Sequence, residues 1–360
     1  MSRVLVAMSG GVDSSVAALL CLREGHEVIG ATMQVWPEAP EDVAREHGGC
    51  CSLDAVTDAR RVCAGLGIPH YVYNLRQEFQ EAVIDYFCDA YAVGRTPNPC
   101  IVCNQTVKFT YLLDRAKKLE ADYLATGHYA RVICSPSGRY LLKRASWPEK
   151  DQSYALYSLT QEQLRYAMFP VGELPKSEVR RIAQRAGLPT SNKPESQDIC
   201  FVVGGDHTGF VRERHPAAFV SGPIKDSSGR VVGRHEGIGH FTIGQRRGLG
   251  LSGGGPFYVL DIRPNENSVI VGPWEESLAH GLVAARCNWI AFDHPRGPFR
   301  AQVKIRYRAT SVPCTVEPLE SGSVTAIFDS PECAVTPGQA AVFYDGDIVI
   351  GGGAIERRIT

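Results

Sequence analysis

The chain has 360 residues, enough for two or three domains that each enclose a core. Its 44% hydrophobic and 21% charged residues are typical of a globular protein and exclude extended disorder. The formal net charge of −1 conceals a stretch suited to phosphate contacts, since Arg286 to Arg308 contains six bases and one acid. Apolar runs stay well short of the roughly 18 residues that span a bilayer, and the N-terminal one is too short for a signal-peptide core. We therefore expect an unprocessed cytoplasmic protein.

Strand and helix patterns alternate through the first third of the chain. The predicted strands are Arg3–Ala7, Glu27–Gln34, His70–Asn74 and Tyr123–Thr126, and the predicted helices are Ser14–Glu24, Asp54–Leu66, Glu78–Ala92 and Lys108–Leu119. This alternation predicts an α/β fold with a doubly wound parallel sheet, whose ligands bind at the carboxyl ends of the strands.

The pattern changes after about residue 151. Two polar helices are predicted at Gln161–Ala167 and Lys176–Ala186, and from about residue 210 Gly and Pro separate short runs rich in Val and Ile. We predict three domains: an α/β nucleotide-binding domain with a helical extension over residues 1–209, a small central β domain over 210–277, and a C-terminal β-barrel over 278–360.

A glycine loop, Ser9-Gly10-Gly11-Val12-Asp13-Ser14-Ser15, joins the first strand to the first helix. Adjacent glycines let backbone amides approach a ligand, and the two serines lie at the positive end of the helix, so the loop suits phosphate. It lacks the Lys and the glycine spacing of a Walker loop. Asp13 would repel phosphate without a cation, which implies Mg²⁺.

This heptapeptide resembles the PP-loop of the ATP pyrophosphatases, which cleave ATP between its α- and β-phosphates and adenylate a carbonyl oxygen. The resemblance implies a HUP-like fold with ATP and Mg²⁺ as cofactors. Two further segments, Gly30 to Met33 and Thr126 to Tyr129, resemble nucleotide-side motifs of these folds. The nucleotide contacts implied in this sequence are Ala7, Met8, Ser9, Gly10, Gly11, Val12, Asp13, Ser14, Met33 and Gly127.

Three of the twelve cysteines lie in segments suited to chemistry. Cys100 and Cys103 follow Pro-Asn-Pro close to a predicted helix N-terminus, where thiolates are favoured, and Cys200 lies in a polar loop. Four interpretations remain open: a zinc site, an iron–sulfur cluster on Cys100, Cys103 and Cys200, a metal-free nucleophile with a partner thiol, or buried structural cysteines. Cys50-Cys51 forms a further pair. The remaining seven cysteines are expected to be small buried hydrophobes.

Together with the loop, these segments resemble the tRNA-specific 2-thiouridylases in order and spacing over essentially the whole chain. The resemblance implies ATP-dependent 2-thiolation of the wobble uridine in tRNAs for lysine, glutamate and glutamine. Cys103 matches the nucleophile and Cys200 the thiol that carries a persulfide, with sulfur supplied by a cysteine desulfurase or a sulfur relay protein. Many members have Asp where this chain has Cys100, and the resulting thiol triplet resembles the cluster-binding set of related tRNA thiolases.

RNA contacts are expected from four segments of the chain. His128 and Gln152 are suited to hydrogen bonds with RNA, and Arg306-Tyr307 to phosphate contact combined with stacking. The motifs shared with the thiouridylases add Lys150, Asp151 and Gln339. Two alternative functions stay open: another PP-loop ligase or amidotransferase, and a non-catalytic RNA-binding protein with a metal site.

Overall fold

A computed structural model of the chain describes residues 1–35, 53–194, 199–251 and 256–360. The chain forms two compact units. The first contains Met1–Val83, Cys100–Gly205 and Asp347–Val349, and the second contains Ile84–Pro99, Asp206–Gly346 and Ile350–Thr360. Within the described ranges, the helices are all too short or too polar to cross a membrane.

The first unit is built on a parallel sheet with the strand order β3-β2-β1-β4-β7. Its strands are β1 (Arg3–Ala7), β2 (Glu27–Gln34), β3 (His70–Asn74), β4 (Tyr123–Ala125) and β7 (Ala167–Met168). The centres of β1 and β2 are buried and almost entirely apolar, as expected for strands that helices cover on both faces. Helices α1 (Val12–Arg23) and α2 (Leu53–Leu66) follow β1 and β2. The predicted doubly wound parallel sheet is confirmed.

The helix that carries the first two candidate cysteines differs most from its predicted bounds. Instead of starting at Lys108, helical structure begins with α5 (Pro99–Val102), continues as a π-helix (Cys103–Leu112) and ends with α6 (Leu113–Lys118). Proline is favoured in the first turn of a helix, where its missing N–H costs no hydrogen bond. Earlier in the chain, α3 (Arg76–Phe79), a second π-helix (Gln80–Asp85) and α4 (Tyr86–Ala92) replace one predicted helix.

A β-hairpin that the sequence patterns did not reveal follows β4. Strands β5 (Ala130–Cys134) and β6 (Tyr140–Arg144) pair antiparallel around a Ser-Pro-Ser-Gly turn. Helices α7 (Gln161–Tyr166) and α8 (Lys176–Arg185) then agree with their predicted positions to within one residue.

The second unit contains two β-sheets whose strands pair mostly antiparallel. The smaller sheet has the order β10-β11-β8-β9, with strands β8 (Gly222–Asp226), β9 (Val231–His235), β10 (Tyr258–Arg263) and β11 (Ser268–Gly272), and α9 (His207–Arg214) precedes it. The larger closes into a barrel because β12 pairs with both β15 and β17. Its strands are β12 (Leu278–Trp289), β13 (Phe299–Lys304), β14 (Val312–Pro318), β15 (Val324–Cys333), β16 (Ala340–Asp345) and β17 (Ile348–Ile359). The expected pair of small β domains ending in a barrel is confirmed.

Candidate active site

A pocket of about 170 Å³ lies where strands β1, β2 and β4 end. Its lining comes from these strand ends, the glycine loop, the π-helix and one glutamine: Ala7, Met8, Ser9, Asp13, Ser14, Ala31, Met33, Lys108, Thr126, Gly127, His128 and Gln152. This is the edge at which parallel sheets bind their ligands. Most of the residues predicted to contact a nucleotide therefore come together in one place, and their ligand stays a prediction.

The loop between β1 and α1 forms one wall of this pocket. Gly10 has a φ of +66°, and a Cβ added there would lie 2.3 Å from the Ala55 carbonyl oxygen, so only glycine fits against α2. The Ser14 hydroxyl donates to the Gly11 carbonyl at 3.1 Å and accepts from the Ser9 amide at 3.2 Å. Val12, which is buried, begins α1. The loop is thus held in shape by its own hydrogen bonds.

Asp13 already has a positively charged partner. Lys176 Nζ lies 2.7 and 2.8 Å from the two Asp13 carboxylate oxygens, and the Tyr129 hydroxyl donates to Oδ1 at 2.7 Å. Both oxygens that would ligate Mg²⁺ are therefore engaged, and this donor set does not fit a metal ion as it is arranged. The expected Mg²⁺ stays a prediction.

The pocket lining also contains a histidine, His128. His128 Nδ1 lies 2.6 Å from the Thr126 hydroxyl, and the ring packs edge-on to Phe169 at 5.9 Å. Burial and the neighbouring Lys108 ammonium hold the pKa of His128 well below its usual range. The ring is consequently uncharged near pH 7, and it can serve as a hydrogen-bonding group but not as a cation for phosphate.

Cys103 begins the π-helix, and Lys108 follows it by five residues. A π-helix repeats through i→i+5 hydrogen bonds, so these two residues lie about one turn apart along the helix. Gln163, which is buried, donates to the Gln105 carbonyl at 3.1 Å and to the Phe109 carbonyl at 2.8 Å. This amide satisfies backbone groups of the π-helix and stabilises its geometry.

The candidate cysteines differ in exposure. Cys100 is exposed, and Cys103 and Cys200 are half-buried. Cys200 lies in a turn closed by the bond from the Val202 amide to the Ile199 carbonyl, and its neighbour Phe201 packs edge-on to Phe79 at 5.7 Å. The Cys50-Cys51 pair and residues 195–198 of the Cys200 segment lie outside the described residues.

A metal cluster on these thiols finds no preassembled site in the structure. Among residues 1–35, 53–194, 199–251 and 256–360, no three His, Cys, Asp or Glu side chains are grouped so that they could hold a metal ion. Cys100, Cys103 and Cys200 as arranged here do not fit an iron–sulfur cluster. Whether the protein binds iron stays a prediction.

The other described cysteines are mostly structural, as expected. Burial raises the pKa of Cys21, Cys287 and Cys314 to about 12 and that of Cys63 and Cys88 to about 11, so these thiols stay protonated. Cys333 is half-buried. The expectation was wrong for Cys134, which is exposed at the end of hairpin strand β5.

The segment Lys150–Gln152, predicted to contact RNA, divides between surface and interior. Lys150 ends a short 3-10 helix and is half-buried. Asp151 is buried, and its carboxylate accepts from the Ala145 amide at 3.1 Å and from the Ser153 hydroxyl at 2.9 Å. Gln152 lines the pocket and accepts from the Tyr129 amide at 3.0 Å. Gln152 is thus the member of the segment placed to meet a ligand in the pocket.

The basic stretch in the barrel is partly neutralised. Arg306 and Tyr307 are exposed in the turn after β13, and Lys304 Nζ lies 5.6 Å from the centre of the Tyr307 ring. Arg300, by contrast, binds both carboxylate oxygens of Asp329 at 2.8 and 2.6 Å. Arg306 and Tyr307 are therefore the better placed for an outside partner.

Gln339 contacts the backbone that leads to the first candidate cysteine. Its amide donates to the Thr96 carbonyl at 2.9 Å, and the Thr96 amide donates to the Pro337 carbonyl at 3.0 Å. Gly338 has a φ of +95°, and a Cβ there would lie 3.0 Å from Thr96 backbone atoms. The structure thus gives Gln339 a role in holding the Thr96 segment, and its contact with RNA stays a prediction.

Five residues of the site were not among the predicted ones: Ala31, Lys108, Thr126, Tyr129 and Lys176. Tyr129 belongs to the Thr126–Tyr129 segment already singled out, so its neighbourhood was a usable signal. Lys176 begins a helix that ordinary periodicity predicts, but nothing in the sequence indicates that its side chain reaches Asp13. Lys108 joins the pocket through the π-helix, which residue patterns do not predict.

The fold and the pocket define a nucleotide-binding α/β protein of the PP-loop type. The model of the tRNA methyl transferase HUP domain matches residues 2–204, that of the tRNA methyl transferase PRC-barrel domain residues 208–273, and that of the aminomethyltransferase beta-barrel domain residues 279–355. The chain belongs to the tRNA-specific 2-thiouridylase family.

Full-length relatives carry this assignment. The tRNA-specific 2-thiouridylase MnmA of Symbiobacterium thermophilum is 52% identical over 99% of this chain and 93% of its own length. The MnmA 1 protein of Thermoanaerobacter sp. is 50% identical over 99% of each chain. Among solved structures, a 4-thiouridine synthetase–RNA complex with bound ATP is 16% identical at a TM-score of 0.38, covering 60% of this chain and 50% of that one. That last similarity is too low to support an argument.

Proposed function

We propose that this protein uses ATP to replace the 2-oxygen of the wobble uridine by sulfur in tRNAs for lysine, glutamate and glutamine. The observation that carries the proposal is one pocket that joins the glycine loop, the ends of three strands and the helix that begins at Cys103. Membership in the tRNA-specific 2-thiouridylase family supports the same reaction.

Activation of the base is the first step. The uridine oxygen is a poor leaving group, and its attack on the α-phosphate of ATP converts it into an adenylate with release of pyrophosphate. The loop amides and the Ser9 and Ser14 hydroxyls are suited to the phosphates, since they lie at the N-terminus of α1. The base must leave its stack to reach the pocket, where His128 and Gln152 offer hydrogen bonds.

Sulfur transfer is the second step, and it needs two thiols. We propose that a persulfide on Cys200 attacks C2 of the adenylated base through its terminal sulfur, and AMP leaves with the former uridine oxygen. The Cys103 thiolate then attacks Cys200 Sγ, so the sulfur–sulfur bond breaks, the terminal sulfur stays on the base, and a Cys103–Cys200 disulfide forms. An external dithiol reduces that disulfide, and a cysteine desulfurase or sulfur relay protein reloads Cys200.

The test is tRNA thiolation with purified full-length protein, read as retarded migration in mercury-containing gels. Cys103→Ser and Cys200→Ser should each lower thiolation by at least a hundredfold, while Cys134→Ser, a matched change of another accessible thiol, should leave it within twofold. Pyrophosphate should appear only when both ATP and tRNA are present. Thiolation without ATP, or full activity of Cys103→Ser, would refute the proposal.

A further inference from the structure

The negative charge of Asp13 in the glycine loop is balanced by a cation of the protein itself, the Lys176 ammonium. Lys176 Nζ contacts both carboxylate oxygens of Asp13, at 2.7 and 2.8 Å. The Lys176 side chain is 13% exposed and that of Asp13 is 30% exposed, so the ammonium is largely shielded from water and the carboxylate is partly exposed. A charge-assisted contact of this kind is screened less by salt than one between two fully exposed side chains.

The surrounding contacts connect this pair to the pocket wall. The Tyr129 hydroxyl donates to the same carboxylate at 2.7 Å, and Tyr129 is almost fully buried. The Tyr129 amide donates to Gln152 Oε1 at 3.0 Å, and the Gln152 amide donates to the Tyr129 carbonyl at 2.8 Å. Asp13 and Gln152 both line the pocket. Lys176 is not among the lining residues that the structure describes, where the lysine is Lys108. Lys176 is therefore placed to act through Asp13.

We propose that Lys176 is a positioning residue for the glycine loop. Its ammonium supplies at Asp13 the positive charge that a divalent cation would otherwise provide. An uncompensated carboxylate inside an anion-binding loop would repel the phosphates of ATP. The ammonium removes that repulsion and, together with Tyr129, holds the carboxylate in one orientation. Any Mg²⁺ that enters with ATP is then bound by the phosphates and not by Asp13. This inference rests on the proposed use of ATP.

The experiment measures ATP affinity of the full-length protein by calorimetry, once in EDTA and once in saturating Mg²⁺. The decisive quantity is the ratio of the two affinities. Lys176→Met keeps the length of the side chain but removes its charge, so ATP affinity in EDTA should fall at least tenfold. Mg²⁺ should then recover much of that loss, so the ratio should rise at least tenfold. Lys193→Met provides the control, because Lys193 also pairs with a carboxylate, that of Asp58 at 2.6 Å, and neither residue lines the pocket; its ratio should stay within twofold.

A second variant keeps the test independent of whether Lys176→Met folds. Asp13→Asn preserves the shape of the side chain, and if Asp13 does not ligate Mg²⁺, the ratio should stay within threefold of the unsubstituted protein. Collapse of the ratio in Asp13→Asn, or an unchanged ratio in a folded Lys176→Met protein, would overturn the inference while leaving ATP use intact. Absence of ATP binding by the unsubstituted protein in both buffers would overturn the proposed function and this inference together.

Discussion

Replacement of Gly127 by alanine tests how closely the loop after β4 packs against the glycine loop. A Cβ at this position would lie 2.6 Å from the Ser14 amide nitrogen and 2.7 Å from the Asp13 carbonyl carbon. Both neighbours are backbone atoms at the start of α1, and ordinary contact distances are roughly 3.5–4.0 Å. The loop or the helix must therefore move by about 1 Å. Overpacking of this kind costs about 1–3 kcal/mol.

The cost should appear in two measurements. The melting temperature should fall, by roughly 2–4 °C for each kcal/mol in a domain of 150–250 residues. ATP affinity, measured by calorimetry, should fall roughly 5- to 150-fold if the whole cost is borne by the loop in its binding conformation.

The matched control is Gly65→Ala in α2, where an added Cβ meets nothing within 4 Å. That exposed helical position should gain about 0.5–1 kcal/mol of stability, with unchanged ATP affinity. A Gly127→Ala protein that melts and binds ATP like the unsubstituted protein would refute the close packing described here.

Four further outcomes follow from the site. Gln163→Leu removes the amide that supports the π-helix and should lower the free energy of unfolding by about 1–3 kcal/mol, while Gln184→Leu on the exposed side of α8 should change it by less than about 0.5 kcal/mol; equal effects in denaturant titrations would contradict this. Arg306→Ala should weaken tRNA binding and reduce the salt slope by about 1 with ATP affinity unchanged, whereas an unaltered slope would exclude Arg306 from the phosphate contacts. Because the pKa of His128 is lowered in the folded protein, the unfolded chain takes up the proton first on acidification; stability should fall as the pH drops below about 6.5, by at most about 1.4 kcal/mol per pH unit, and His128→Gln should flatten that dependence. Cys100→Asp protein purified anaerobically should thiolate tRNA without iron, and loss of thiolation alongside loss of about four irons would instead support a cluster.

Elements with local signals could be predicted from the residue pattern alone. Strands β1 to β3 and helix α8 lie where hydrophobic periodicity places them, because a buried strand or an amphipathic helix must keep its apolar residues in register with the core. The glycine loop was recognisable because a tight turn before a helix requires glycine at a position such as Gly10, whatever the rest of the fold does. The family was identifiable for the same reason, since its motifs are short and contiguous.

Contacts between distant segments could not be predicted in this way, because they depend on how the chain folds. Lys176 and Asp13 are 163 residues apart in the sequence. No periodic pattern indicates that the ammonium of this residue, at the N-terminus of α8, contacts the glycine loop. The π-helix likewise depends on Gln163, whose amide satisfies carbonyl groups 54 and 58 residues earlier in the chain. Secondary-structure propensity depends on residues that are neighbours in sequence. The charge balance at Asp13 and the helical register at Cys103 depend on partners that are distant in sequence and become close on folding.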